Sequence, residues 1–588
     1  MMDEIAVWAP AADDVALVVD DATVSMRPRA DGWFVADAAL AHGQRYGFAL
    51  DAGPVRADPR AVWLPDGVHA PGRHYDHARF DWTDAAWTGH SWAAAVLYEL
   101  HVGTFTAAGT FDAAIERLGH LVDLGVTHVE LLPVCAADGA YGWGYDGVAP
   151  WSVHEPYGGP DGLKRFVDAA HAQGLSVLLD VVHNHLGPSG NYLGDFGPYF
   201  TDRVTTPWGA AVNLDAPGSD EVRAYLIGSV EAWLRDFHLD GVRLDAVHEL
   251  HDTRALTLLE ELSARVAALS SELGRPLVAV AESDRNDPRT VLPRDQHGLG
   301  LTAQWDDDVH HALHVWLTGE SQGYYEDFAR DPSAAVATVW QRAFFHAGTY
   351  STFRGRVHGR PVDLAEVPGW RFVASLQTHD QVGNRAHGER LTHLVRPGRL
   401  AGGAALLLLS PFVPMLFMGE EWGASTPWQF FSSFPDPDLA AAVTAGRQAE
   451  FADHGWSAGQ VPDPQDRATL ERSVLDWHER AEPEHARLLD WYRRLIELRG
   501  AHPELGSGGL DSSHIRVDGP LAIVRRGSFL VVAWLGDDEM RVEVPGASTV
   551  VASFVGPDNA AAVELHDVGS QPVVTLPRES TAVLRTAR

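Results

Sequence analysis

The feature that most restricts the fold is a unit of amphipathic helix, glycine and short apolar strand that recurs through the middle of the chain. Phe111–Leu124 places Ile115, Leu118 and Val122 at helical spacing, Gly125 ends the helix, and Thr127–Val134 follows as a strand. Leu163–Gln173 repeats the unit with Leu163, Phe166, Val167 and Ala170 on one face, then Gly174 and the strand Leu175–Val182. Glu221–Phe237 repeats it again with Leu226, Val230, Trp233 and Phe237, and Gly241 leads into Val242–Val247. A 3.6-residue apolar period, a glycine able to take a left-handed turn, and an apolar run too short for a helix together spell a βα connection. Apolar runs at Val96–Leu100, Leu277–Ala281, Thr302–Trp305, Phe372–Gln377 and Pro414–Phe417 bring the strands to eight. The pattern predicts the α/β class and a (β/α)8 TIM barrel. A doubly wound open sheet is the alternative. No GxGxxG or P-loop follows the first strand, so its nucleotide-binding version lacks support.

Both flanks change to period-two grammar. Val15–Val19, Gly32–Val35 and Arg45–Leu50, separated by Asp13-Asp14, Asp31-Gly32 and Gly53-Pro54, predict an N-terminal β-sandwich over 1–90, like an immunoglobulin or carbohydrate-binding module. His514–Val517, Leu521–Arg525, Phe529–Trp534 and Met540–Val544 predict a C-terminal β-sandwich over 507–588. The barrel with its insertions then spans 91–506, and the 588 residues leave ample chain for a large core. Segment 423–475 reads as loop-rich, the kind of insertion that covers or serves a site.

Leu400–Gly419 is twenty residues without a charge, long enough to span a bilayer. Pro411 and Pro414 break it, so it reads as a buried helix followed by a short buried strand. The start, Met1-Met2-Asp3-Glu4, is acidic where a signal peptide is basic. A soluble, cytoplasmic protein is expected. The 45 basic against 80 acidic residues, a net of −35, argue against nucleic acid and against an anionic membrane surface as partners. The single cysteine, Cys135, rules out an intrachain disulfide framework and a multi-Cys metal site, and reads as an inert small hydrophobe. Lys164 is the only lysine, which with the Ala, Gly and Arg content reads as codon bias. A neutral substrate with apolar faces, such as a sugar, suits a chain with 20 Trp, 13 Tyr and 22 Phe, although most such rings pack a core.

Barrel chemistry sits at the C-terminal ends of the strands, so polar residues breaking apolar runs there carry the functional signal. In Gly241-Val242-Arg243-Leu244-Asp245, alternation puts Arg243 and Asp245 on one face, expensive to bury unless paired or used. A structural ion pair is the alternative reading. Val278, Val280 and Glu282 share a face, so Glu282 tops an apolar column, where burial raises a carboxyl pKa and suits a general acid. Asp180-Val181-Val182-His183-Asn184-His185 and Thr378-His379-Asp380 end two further strands. Carboxylates with imidazole and guanidinium neighbours at several strand ends match the need of glycoside hydrolysis for a nucleophile or base and an acid flanking one bond.

The segments DVVHNH (180–185), GVRLDAVHE (241–249), VAES (280–283) and THDQ (378–381) resemble, in order, the four motif regions of the α-amylase clan, glycoside hydrolase family 13. YELHVGTFT (98–106), GWGYDGV (142–148), HEPYGGPDGL (154–163), AQWDDDVHHALH (303–314), FMGEEWG (417–423) and VPDPQD (461–466) are similar to its trehalose-releasing branch. The resemblance covers nearly the whole chain. It implies retaining hydrolysis of the α-1,4 bond next to the terminal trehalose of maltooligosyltrehalose, with trehalose and maltooligosaccharide as products. It implies Asp245 as nucleophile, Glu282 as general acid and then base, and Asp380 as the residue that holds sugar hydroxyls and favours the distorted ring. Arg243 would orient Asp245, His185 and His379 would bind the sugar that becomes attached, and Tyr145 would stack beneath it. Asp180 would orient neighbours or touch sugar; His248, and similarly Asp284, would face the trehalose side. A retaining mechanism predicts carboxyls about 5–5.5 Å apart. No cofactor and no metal, calcium included, are implied. The implied functional partner is maltooligosyltrehalose synthase, which would isomerise the reducing end of the precursor.

Asp307, His311 and His314 share a helix face that would suit zinc, but three aspartates at a helix start also suit an ordinary cap, and the resemblance implies an active-site wall. Trp8, Trp33 and Trp63 read as core more than as a glucan surface. Two functions compete with the hydrolase. A branching-enzyme-like α-glucan transferase would share all three carboxylates, and GEEWG with VPDPQD favours the hydrolase over it. A non-catalytic glucan-binding protein would not need to keep an acid.

Overall fold

In a computed structural model, which describes residues 4–452, 460–557, 559, 561–569 and 571–587, eight parallel strands close into a barrel. They are β1 (Leu97–Leu100), β2 (His128–Leu131), β3 (Ser176–Val181), β4 (Gly241–Leu244), β5 (Val278–Ala281), β6 (Ala303–Trp305), β7 (Phe372–Ser375) and β8 (Val413–Phe417). Each pairs with the next in sequence and β8 returns to β1. Every strand lies within or at the edge of its expected run, and the open-sheet alternative falls with the closure.

Alternation along these strands builds two cores. Val242, Leu244, Ala279 and Ala281 point outward into the large cluster shared with the helices. Leu97, Leu178, Val278, Val280, Ala303, Val373, Val413 and Met415 point inward and plug the lower barrel. One residue further up the same faces the lining turns polar. Glu99 on β1 lies opposite Glu130 on β2, and Asp180 on β3 opposite Arg243 on β4. The plug therefore carries the charged layer on a close-packed base, which fixes side-chain positions far better than a loop would.

The helix expected over 111–124 is two helices, Phe111–Ile115 and Leu118–Leu124, with Arg117 between them outside regular geometry (φ −104°, ψ −8°). The break re-phases the second piece: Leu118, Leu121 and Leu124 are buried and Val122, expected inside, is 41% exposed. Gly125 closes it in the left-handed region at φ 92°. The other two units fold as read, as helices Gly159–Ala172 and Ser219–Asp236.

Lys164 lies on Gly159–Ala172 and is fully buried. Its ammonium donates to the His77 carbonyl (3.2 Å) and sits 5.2–5.7 Å from the rings of Tyr75, Phe80, Trp82 and Phe237. Burial lowers the amine to about 8, with Asp236 and Asp161 acting against that. The cation clamps segment 75–82 against the barrel wall through its ring contacts.

Before the barrel, Glu4–Trp8, Arg27–Pro28 and Trp33–Asp37 form one antiparallel sheet, and Val15–Val19, Ala22–Ser25, Arg45–Leu50 and Val55–Arg56 the other. Their core is continuous with barrel-side residues Leu193, Phe196, Tyr225 and Leu258, and Trp8 is buried in it. After the barrel, a five-stranded sheet (Ser513–Asp518, Leu521–Arg526, Phe529–Trp534, Ser580–Thr586, Ala547–Val555) faces a three-stranded one. Leu400–Gly419 folds as helix Pro397–Leu408 and strand β8, buried throughout. Among the described residues no helix is long and apolar enough to cross a membrane. Segment 423–475 is less loop-like than expected: Pro437–Ala452 is helical, started by Asp436, whose carboxylate accepts from the N–H of Asp438 and Leu439, and continued by an Ala-rich run. Residues 453–459 of that segment, and Met1 to Asp3 of the acidic start, lie outside the described residues.

Candidate active site

The site is organised by one guanidinium. Arg243, with no exposed side-chain surface, donates through Nη1 to Asp180 Oδ2 (2.6 Å) and Asp245 Oδ1 (2.8 Å), and its Nη2 lies 3.1 Å from Glu282 Oε2. Its central carbon stands 4.3 Å from the Trp305 ring centroid, so an aromatic face supports it from β6. Burial opposes the charge, but Asp180, Glu282, Tyr145 and Asp245 outweigh burial and hold Arg243 cationic. An ion pair exists, as the alternative reading had it. It also opens upward: the Asp245 and Glu282 side chains both reach solvent in the cleft.

Asp245 is held from both sides. Asn184 Nδ2 donates to its Oδ2 (2.6 Å) and to its carbonyl (2.9 Å). Ala246, next in the chain, adopts φ 38°, ψ 53°, a left-handed conformation unusual for alanine. That turn aims the Ala246 N–H at Glu282 Oε2 (2.6 Å). Glu282 therefore tops its apolar column not against a purely apolar wall but beside a cation and a backbone donor.

A second group lines the other side. Tyr145 Oη donates to Asp180 Oδ2 (2.6 Å) and accepts from His379 Nε2 (2.8 Å), and its ring stacks on His379 at 5.2 Å. His379 Nδ1 lies 2.5 Å from Glu99 Oε1, and its backbone N–H donates to Glu99 Oε2. Both ring nitrogens donate, so the ring is an imidazolium. Burial alone would lower its pKa; Asp380 and Glu99 outweigh burial and bring it to about 9. Burial, helped by Asp245, raises Asp180 to about 7 against the pull of Arg243. His185 is pushed down to about 4 by burial, donates Nε2–H to the Tyr145 carbonyl (3.1 Å) and stacks on Trp208 at 4.2 Å. The loop that brings Tyr145 in needs Gly144: at φ 104°, an added Cβ would lie 2.2 Å from the Pro133 carbonyl oxygen.

A proton-linked prediction follows from His379. A pKa raised above the ordinary 6.5 gives a stabilising term fully present below about 6.5 and lost as pH rises through about 9. Activity and thermal midpoint should share an alkaline limb near that value. Glu99→Gln removes one of the anions holding the proton and should move the limb toward neutrality. A pH series of kcat/KM and thermal midpoints checks this; an unmoved limb would show that another group titrates.

Asp380, 38% exposed, projects from helix His379–Gly383 and lies 3.5 Å from His379 Nε2. Asp307 heads helix Asp307–Thr318, and burial together with Glu282, Asp380 and Asp284 raises it to about 8. His310 and His314 serve packing: His310 bonds the Leu376 carbonyl and Tyr325 hydroxyl, and His314 meets Glu320 and stacks on Tyr325. His248 accepts the Asp284 N–H at Nδ1 (3.3 Å), and the Asp284 carboxylate is engaged by Arg354. Cys135 is raised to about 12 by burial, which keeps it a thiol. The GEEWG carboxylates lie behind the barrel: Glu421 is buried against His120 and Tyr98, Glu420 against Tyr492. VPDPQD instead supports the Tyr145 loop, since Gln465 bonds Ser432 and its carbonyl accepts from Tyr141.

Sequence reasoning passed over Glu99, Glu130, Asn184, Trp208 and Arg354. Glu99 and Glu130 carried the signal that exposed Arg243, a charge on the inward face of an apolar strand. Asn184 stood between two histidines that drew attention from it. Trp208 and Arg354 reach the site from excursions with no periodic signal.

The barrel, the flanking sheets and this set of carboxylates around one buried arginine define a glycosidase of the α-amylase clan. Residues 77–197 match the family model for the alpha amylase catalytic domain. A malto-oligosyltrehalose trehalohydrolase of Arthrobacter ramosus is 56% identical over 502 residues, covering 84% of this chain and 87% of that protein. One from Mycobacterium tuberculosis (strain CDC 1551 / Oshkosh) is 51% identical over 556 residues, covering 93% and 94%. The crystal structure of a candidate alpha amylase from Salmonella typhimurium superposes with a TM-score of 0.89 at 37% identity, covering 99% of this chain and 97% of that one. The chain belongs to the malto-oligosyltrehalose trehalohydrolase family.

Proposed function

We propose that this chain is a retaining glycosidase that hydrolyses the α-1,4 bond next to the terminal trehalose of maltooligosyltrehalose, releasing trehalose and maltooligosaccharide. The observation that carries the mechanism is the Arg243 guanidinium shared by Asp245 and Glu282. Both carboxyls meet one guanidinium, an arrangement that suits a retaining pair, for which a separation of ~5–5.5 Å is expected. Asp245, held by Arg243 and Asn184, attacks the anomeric carbon. Glu282 gives its proton to the departing trehalose oxygen, then takes one from the water that releases the sugar from Asp245. Asp380 accepts hydroxyl hydrogen bonds of the distorted ring. Tyr145 lies beneath that ring, and His185 and His379 help to bind the sugar by holding Tyr145 at its carbonyl and hydroxyl, while Asp180 keeps Tyr145 and Arg243 in place. The surrounding carboxylates favour the positive charge that develops on the ring.

The substrate is supplied by an enzyme that isomerises the reducing end of a maltooligosaccharide, the maltooligosyltrehalose synthase reaction, and both would work in the cytoplasm. Neither nucleic acid nor membrane takes part. Incubation with maltooligosyltrehalose should yield free trehalose and a maltooligosaccharide born as the α-anomer, followed by NMR. New α-1,6 branches without trehalose would give the transferase reading instead.

A further inference from the structure

Helix Pro437–Ala452, inserted after β8, sends one buried cation into the loop that carries Asp380. Arg447 donates through Nη2 to the carbonyls of Gly383 (2.7 Å) and Arg385 (3.4 Å). Its guanidinium carbon stands 4.6 Å from the Phe451 ring centroid and 5.3 Å from that of Phe430. Glu450, 3.1 Å from Nη1, is exposed, whereas Arg447 itself is buried. A cation serving only its own helix could stay with Glu450 in water. Taking a guanidinium out of water is costly unless acceptors meet it inside, and here backbone carbonyls do so.

Those carbonyls end the short turn in which Asp380 sits, His379–Gly383. Asn384 follows it: its N–H donates to the Asp380 carbonyl (2.9 Å), and its Nδ2 donates to Asp380 Oδ1 (3.4 Å). Gly383 and Arg385 flank Asn384, so Arg447 grips the backbone on both sides of the residue that meets the Asp380 carboxylate. A single helical turn does not hold its own shape and has to be fixed from outside. Its other support is the loop of Tyr145: Gly383 lies against Trp143, where an added Cβ would come 2.1 Å from Cζ2, and Trp143 stacks on Trp428 at 4.5 Å. Further along, Ala386 packs with Phe451 of the inserted helix.

We propose that Arg447 is a positioning residue for Asp380: by clamping the carbonyls of Gly383 and Arg385 it fixes the turn that aims the Asp380 carboxylate at the distorted ring. This rests on the reading of Asp380 given above. Arg447 acts through that turn alone, and the inserted helix thereby takes part in the reaction as a brace behind the cleft.

The test measures kcat and KM on maltooligosyltrehalose for Arg447→Met, which keeps an apolar stem between the rings, and for Arg447→Lys, each also in an Asp380→Asn chain. In Arg447→Met kcat should fall about tenfold or more, the scale of a small misplacement of a group in the site. KM should change far less, because Asp380 acts on the distorted ring more than on the bound ground state. Arg447→Lys, whose ammonium can still reach one carbonyl, should keep more of the rate. In the Asp380→Asn background the loss caused by Arg447→Met should shrink to about twofold or less, because the two residues act as one unit. The same tenfold loss in that background, or a parent-like kcat in Arg447→Met, would overturn the proposal. A lowered thermal midpoint with an unchanged kcat at low temperature would also overturn it, by reducing Arg447 to support of the insertion. Arg447→Lys guards against an Arg447→Met chain that does not fold. Failure of the Asp380 reading would look different, because Asp380→Asn alone would then keep the parent rate.

Discussion

Glu282→Gln should reduce turnover of maltooligosyltrehalose by about 10²–10⁴-fold, the range ascribed to a positioned general acid–base group. The substitution is close to isosteric, and the surroundings dictate its orientation. Arg243 and the Ala246 N–H both call for an acceptor, so the amide oxygen takes the place of Oε2 and the amide nitrogen faces the cleft. The fold loses little, since Arg243 keeps Asp180 and Asp245. What is lost is a proton acidic enough to reach the leaving oxygen. A 4-nitrophenyl maltooside, whose leaving group needs no proton, should therefore restore the first step. The second step then lacks a base for water, so the glycosyl-enzyme should accumulate. A burst of nitrophenolate and a glycosyl adduct by intact mass are the readouts. Unimpaired turnover of maltooligosyltrehalose would remove Glu282 from its role.

Asp245→Asn should show the opposite pattern at a larger size, a loss on the order of 10⁴-fold or more on both substrates, as when a covalent nucleophile is removed. An activated leaving group cannot compensate for a missing nucleophile, so neither burst nor adduct should form. The thermal midpoint should fall somewhat, because Arg243 and Asn184 donate to different oxygens of Asp245 and the amide offers only one, leaving one buried donor without an acceptor. A glycosyl adduct persisting in this variant would transfer the attack to another carboxylate, with Asp180, on the same guanidinium, the nearest alternative. The two variants together separate a double-displacement path from a direct one.

The barrel was legible because its strands obey a simple rule: alternate residues meet helices, the others meet the plug, and a glycine often closes the preceding helix. The grip on the attached sugar was legible because its members stand in short contiguous runs at strand ends. Val122 was misplaced because a break of one residue at Arg117 rotates everything after it, and no side chain advertises that break. The 437–452 helix escaped notice because alanine, which drives it, gives no apolar stripe to read. Arg354 and Asp284 lie 70 positions apart and meet only because an insertion folds back over the cleft, a relation that no local spacing contains.

The caged Lys164 bears on durability in the presence of the enzyme's own product. Hydrolysis frees a reducing end, an open-chain aldehyde at equilibrium, and aldehydes condense with accessible, unprotonated lysine amines. This chain's one lysine amine is sealed beneath four aromatic rings. The folded surface thus offers sugars no lysine to glycate, and arginine, which supplies every other basic side chain counted in the net charge, stays protonated and reacts far more slowly with simple aldoses.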